Sequence, residues 1–178
     1  MNTKNYQLGY EEAKIKLPKR DDRFGISIIL NNVSDPINVG SFFRLSDNAY
    51  LEKIYLCGNT PTPENNKKVK ITGKFSKKTT PYTYHENIHD LLDNLENQYD
   101  IYIVEITNQS ISYFENNFKS NKKIALIFGS ESRGVEQSLL DRNYKCIHIP
   151  IYGYDYSMNV ANSASIIVYE IIRQNTSK

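Results

Sequence analysis

Short β-branched runs recur along this chain, and helical patterns separate most of them. Ile26 to Leu30, Lys53 to Cys57, Ile101 to Ile106, Ile124 to Phe128 and Lys145 to Ile149 read as buried strands. Tyr82 to Tyr84 adds a short candidate. Between them, Val39 to Tyr50 carries Phe42, Phe43, Leu45 and Ala49, and Ile88, Leu91, Leu92 and Leu95 fall on one helical face. Val135 to Leu140 reads as a further short helix. Fully apolar short strands need cover on both sides, and repeated βα order supplies it with helices. The expected fold is therefore α/β, a mostly parallel sheet with helices on both faces.

The C-terminal stretch IHIPIYGYDYSMNVANSASIIVYEIIR fits the same scheme. Pro150 stops strand pairing because it has no N–H to donate. A Tyr- and Gly-containing loop follows, and Ser157 stands where an N-cap belongs, with a helix from Met158 onward. Val160, Ala164, Ile167, Val168 and Ile171 share one face of it. Ala161, Ser163, Ala164 and Ser165 keep its first turns thin, so another backbone can approach. At the other end, Tyr6 to Ile15 suits a short helix ended by Pro18, with a charged linker after it. The segment from Lys67 to Thr80 stays ambiguous, because Gly73 and the threonines weaken a helix there.

With 178 residues, 39% of them hydrophobic and 24% charged, the chain suits one soluble domain. A net charge of +2 imposes no global field, but the charge is unevenly placed. Lys14, Lys16, Lys19, Arg20 and Arg23 form one basic segment, and Lys67, Lys68, Lys70, Lys74, Lys77 and Lys78 a second. Acidic residues gather between Glu86 and Glu105. That asymmetry suits either a face toward polyanions or a solvated lysine-rich surface. Cys57 and Cys146 lie in apolar runs and read as reduced thiols. The first residues carry no apolar signal core, so a cytoplasmic protein is expected. No metal site is expected: His85 and His89 have helical spacing, but Pro81 and the tyrosines oppose a helix through His85.

Three stretches could carry chemistry. In NVSDPINVGSFFR, Asn38 stands at the loop–helix junction and Arg44 follows six residues later, roughly two turns along and near the same face. The pair could grip a phosphate, or be a helix cap and a surface cation. In FGSESRGV, Gly129 and Gly134 bracket a turn that follows a strand, open to a ligand at the backbone. It matches neither the dinucleotide nor the nucleotide-phosphate glycine pattern. In the C-terminal loop, Tyr152, Tyr154 and Tyr156 could stack on single-stranded bases or pack over the sheet edge.

Taken in order, the three stretches resemble the SpoU (TrmH-like) family of RNA 2′-O-ribose methyltransferases, within the SPOUT superfamily. The matching residues are Asn38, Gly40 and Arg44; then Gly129, Glu131 and Gly134; then Pro150, Gly153, Ser157, Asn159 and Ala161. Ile151 stands where the third motif usually has Met. The resemblance covers about Ile26 to Arg173. It implies a SPOUT fold with a C-terminal trefoil knot over residues 25–178, preceded by a basic helical extension at 1–24. It implies S-adenosylmethionine held by Ile106, Gly129, Ile149, Ser157 and Met158, and a homodimer with the C-terminal helix at its interface.

The same resemblance implies a catalytic set of Asn38, Arg44, Glu131, Ser157 and Asn159. Methyl transfer to a ribose 2′-hydroxyl would proceed in line and without a metal. A guanidinium resists deprotonation, so Arg44 is expected to hold a phosphate and orient the hydroxyl. Asn38 and Glu131 would fix it across the dimer. RNA contacts are expected from Arg44, Lys19, Arg20, Lys67, Lys68, Lys74 and Arg133. The cation beside the donor site and the missing separate RNA-binding domain tilt the expected substrate toward tRNA over rRNA. A non-catalytic RNA-binding protein on the same fold and a transferase acting on a base nitrogen are the alternatives.

Overall fold

The computed structural model describes residues 5–18, 20–76 and 79–176. Seven strands form one sheet: β1 Phe24–Asn31, β2 Leu51–Cys57, β3 Tyr82–His85, β4 Tyr99–Val104, β5 Ile111–Ser112, β6 Lys123–Phe128 and β7 Lys145–His148. Their order is β3-β2-β1-β6-β4-β7-β5, and every pairing of these strands is parallel. The helices are α1 Tyr10–Lys16, α2 Pro36–Asn48, α3 Lys67–Gly73, α4 Ile88–Leu95, α5 Gln137–Leu140 and α6 Val160–Thr176.

Side-chain alternation along the strands splits the core in two. Ile28 and Leu30 of β1, with Leu126 and Phe128 of β6, pack with residues of α2, α3 and α6. Ile29, Ala125 and Ile127 face the other way, onto Ile88, Leu91, Leu92 and Leu95 of α4 and Leu139 of α5. Both sheet faces are thus covered, as the unbroken apolar strands require. The apolar stripe of α6 is Ala161, Ala164, Ile167, Val168 and Ile171, with Val160 only partly buried.

Of the elements that differ from the sequence reading, three bear on the site. Helix α2 starts at Pro36, because the Asp35 carboxylate accepts from Ile37 N at 2.8 Å and proline is tolerated in the first turn. Asn38 therefore lies inside the helix. Helix α6 starts at Val160 and is capped by Asn159, whose Oδ1 accepts from Ala161 N at 3.0 Å and Asn162 N at 3.2 Å; Ser157 caps nothing. The ambiguous lysine-rich segment contains α3, capped by Asn66 and ended by Lys74 in the left-handed region. Only Val69 and Gly73 of α3 are buried, too few to leave a periodic signal.

Helix α3 is held by contact rather than by an apolar stripe. A Cβ on Gly40 of α2 would lie 2.5 Å from Thr72 Cβ and 2.9 Å from the Val69 carbonyl. The motif glycine thus sets the distance between α2 and α3. Gly40→Ala should lower stability by about 1–3 kcal/mol through overpacking, read as a drop in the urea midpoint with an unchanged slope.

Candidate active site

The sheet grows outward from β1 through β2 to β3, then the chain crosses to the other side to lay down β4, with β6 filling the gap. Open α/β sheets bind ligands where the strand order reverses, beyond the carboxyl ends of the strands. A cavity of about 730 Å³ opens there. Its walls come from Ser34 and Asp35 after β1, Val104 to Ile106 at the end of β4, Phe128 to Ser130 at the end of β6, and His148 and Ile149 at the end of β7. The loop before α6 closes it with Tyr156, Ser157, Met158 and Asn159.

Eight of the nine residues assigned to catalysis or cofactor binding line this one cavity: Asn38, Ile106, Gly129, Glu131, Ile149, Ser157, Met158 and Asn159. A hydrogen-bond chain joins the three motifs. Asn159 Nδ2 donates to Asn38 Oδ1 at 2.9 Å, and Asn38 Nδ2 donates to Glu131 Oε1 at 2.9 Å. Glu131 also accepts from Ser34 N at 3.0 Å, Ser34 Oγ at 3.3 Å and Asp35 N at 3.2 Å. Partial burial pushes the Glu131 carboxyl up, but the hydrogen bonds from Asn38, Ser34 and Asp35 outweigh it and hold the group below its ordinary value.

The turn after β6 is drawn tight. Ser130 N donates to Gly134 O at 3.0 Å and Gly134 N to Ser130 O at 2.8 Å. A Cβ on Gly129 would lie 2.3 Å from the Gly134 carbonyl oxygen, so only glycine lets the turn close. Gly134 has φ +66° and sits against Glu105. Glu105 was missed in the sequence. Its carboxylate accepts from Ile106 N at 2.9 Å and Val135 N at 3.0 Å, stapling the end of β4 to the turn after β6. A carboxylate closing the apolar run IYIV was the available signal. His148 was also missed; its Nδ1 lies 3.0 Å from Ser110 Oγ.

Arg44 is the exception. It is exposed, lies in a separate shallow groove with Ser41, Asn48, Thr72, Ser165 and Tyr169, and bonds to no described residue. Six residues of helix turn through about 600°, which leaves Arg44 some 120° away from Asn38 rather than on its face. Within one chain, Glu131 and Asn38 fix each other and the start of α2, not Arg44. Lys67, Lys68 and Lys74 are exposed on and just after α3, whose Thr72 borders the Arg44 groove. Arg133 is exposed at the tip of the turn after β6. Arg20 stacks over the Phe24 ring at 4.0 Å. Lys19 lies outside the described residues. Among those residues no group of His, Cys, Asp and Glu could hold a metal ion, and no helix is long and apolar enough to cross a membrane.

The model of the SpoU rRNA Methylase family matches residues 25–169, which include the whole cavity wall. The chain belongs to that family. Among similar proteins, an uncharacterized tRNA/rRNA methyltransferase of Borreliella burgdorferi is 27% identical over 174 residues, 97% of this chain and 74% of that one. The 23S rRNA (guanosine(2553)-2′-O)-methyltransferase RlmP of Bacillus subtilis is 29% identical over 145 residues, 81% of this chain and 56% of RlmP. Two solved structures share the family fold. An AdoMet-bound rRNA methyltransferase from Sinorhizobium meliloti matches with a TM-score of 0.75 at 23% identity, over 90% of this chain and 59% of its own. A protein described in connection with 2-OH methylation of C/U34 on tRNA matches at 0.76 and 22% identity, over 86% of this chain and 97% of its own.

Glu131 contributes stability that is complete above the usual carboxylate range and is lost as pH falls through its lowered folded value. Glu131→Gln should therefore cost about 1 kcal/mol at neutral pH and flatten the acid limb of the stability curve. Urea midpoints measured across the acid range for both proteins check this.

Proposed function

We propose that this chain transfers a methyl group from S-adenosylmethionine to a ribose 2′-hydroxyl of RNA. The observation that carries the reading is the single cavity into which all three family motifs converge, tied by the Asn159–Asn38–Glu131 chain. Its residues suit the donor. The ionisable lining is Asp35, Glu105, Glu131, His148 and Tyr156, with no lysine or arginine, an acidic setting for a sulfonium. The main-chain N–H groups of Ile149, Ile151 and Met158 donate to nothing among the described residues, so they are available to a polar ligand. S-adenosylmethionine bound there supplies the methyl as an electrophile on sulfur.

The chain's own residues then have positional work. Ile106, Gly129, Ile149, Ser157 and Met158 hold the donor. Asn38, Glu131 and Asn159 keep the loops at fixed separation, so the acceptor hydroxyl meets a shaped cavity. Arg44 grips the phosphate beside the acceptor ribose, and that phosphate or a water takes the proton. Since Arg44 stands outside its own chain's cavity, we assign it to the cavity of a second copy. The functional unit is then a homodimer packed through α6 and the Arg44 groove. The trefoil knot belongs to the same reading, with the segment after β7 threaded past the turn after β6.

Residues 1–24 form a basic extension and 25–178 the transferase domain. Arg20, Lys67, Lys68, Lys74 and Arg133, with Lys19, provide the phosphate contacts. We favour tRNA as the substrate and the cytoplasm as the compartment. Wild-type protein with labelled S-adenosylmethionine should place 2′-O-methyl nucleosides in unmodified tRNA, read by mass spectrometry beside an rRNA pool. Arg44→Ala should lower turnover by about a hundredfold or more while calorimetric donor binding is unchanged. Donor binding without product in either pool would leave an RNA-binding protein, and absence of donor binding would end the enzyme reading. Replacing Lys67 and Lys68 by Ala should reduce the salt dependence of RNA binding by about one unit of slope each.

A further inference from the structure

Exposed apolar side chains gather along one rim of the cavity. Ile106, Tyr156 and Met158 line it and are open to solvent. Tyr152, Tyr154 and Tyr156, on the loop before α6, are 89%, 101% and 93% exposed. The tyrosines therefore do not pack over the sheet edge. Their hydroxyls bond to nothing among the described residues, and a Cβ on Gly153 would meet no atom within 4 Å. The loop stands clear of the body. Three aromatic rings left in water forgo a large burial energy, and an exposed apolar cluster rimmed by polar residues marks a surface that is covered in use.

We infer that this aromatic rim is a stacking surface for unpaired bases flanking the ribose to be methylated. The inference rests on the RNA methyltransferase reading above and narrows its substrate to a single-stranded or looped stretch. Rings free on both faces suit bases, each of which offers a π-face whatever its identity. In a duplex those faces are already stacked. The turn after β6, which also lines the cavity, presents Ser132 and the exposed Arg133, a cation suited to the backbone of the same stretch. The exposed Arg133 gives a phosphate backbone a partner beside the rings, which favours RNA over a second copy as the occupant.

The test uses the full chain and two fluorescent RNAs, a short stem-loop with unpaired loop bases and the fully paired duplex of the same stem. Wild type should bind the stem-loop more tightly. Tyr152→Ala with Tyr154→Ala should weaken stem-loop binding about tenfold or more, leave duplex binding unchanged, and leave the S-adenosylmethionine dissociation constant unchanged by calorimetry. The corresponding double Phe variant should retain binding, since it keeps the rings. Equal stem-loop affinity in wild type and the double Ala variant overturns the inference. So does a change in sedimentation from dimer to monomer in the double Ala variant, which would make a second copy the occupant. RNA affinity is read without methyl transfer, so failure of donor binding counts against the enzyme reading and not against this one.

Discussion

A run of two side-chain amides and one carboxylate holds the working end of this protein together. Asn159 starts α6, Asn38 lies in the first turns of α2, and Glu131 sits in the turn after β6. These are three separate stretches of chain, and each joins the run through a side chain whose remaining polar atoms are also occupied. Asn159 uses its oxygen to cap α6, and Glu131 uses its second oxygen on the main chain before α2. Neither helix can shift on the sheet without breaking bonds at the other. The cavity between them inherits that rigidity, which positioning chemistry demands.

Glu105 performs a matching task just after β4. By accepting from Ile106 and Val135 it joins the loop after β4 to the turn after β6. The turn is thus held by Glu105 on one side and through Glu131 on the other, while Gly129 and Gly134 let it fold tightly enough to be held. Both clamps are carboxylates on main-chain N–H groups, the stronger class of hydrogen bond. The site depends on them because the loops themselves bury little apolar surface.

Much of this was legible in the residues. Uninterrupted runs such as IALIF can only be strands covered on both faces, and the α4 stripe Ile88, Leu91, Leu92 and Leu95 has one reading. Three motifs at strand ends marked the cavity wall almost residue by residue. What escaped was whatever depends on tertiary contact. Helix α3 buries one valine and one glycine and leaves no period. Strand β5 is two residues long and exists only because β7 pairs with it. Ser157 and Asn159 are both good caps, and Asn159 prevails because its amide also reaches Asn38. The direction of Arg44 was misjudged by treating six residues as a whole number of turns.

The amide run has a chemical consequence over the life of the molecule. Asparagine side chains hydrolyse slowly to aspartate. At Asn38 that change would replace the donor facing Glu131 with a second carboxylate. The two would repel or share a proton, and Asn159 would keep its partner oxygen while the rest of the run came apart. A difference of one atomic mass unit at position 38 would therefore uncouple the turn after β6 from α2. The fold's core, built from aliphatic strands with no part in this run, would remain intact. Loss of that one amide would then cost the shaped cavity and leave the structure standing.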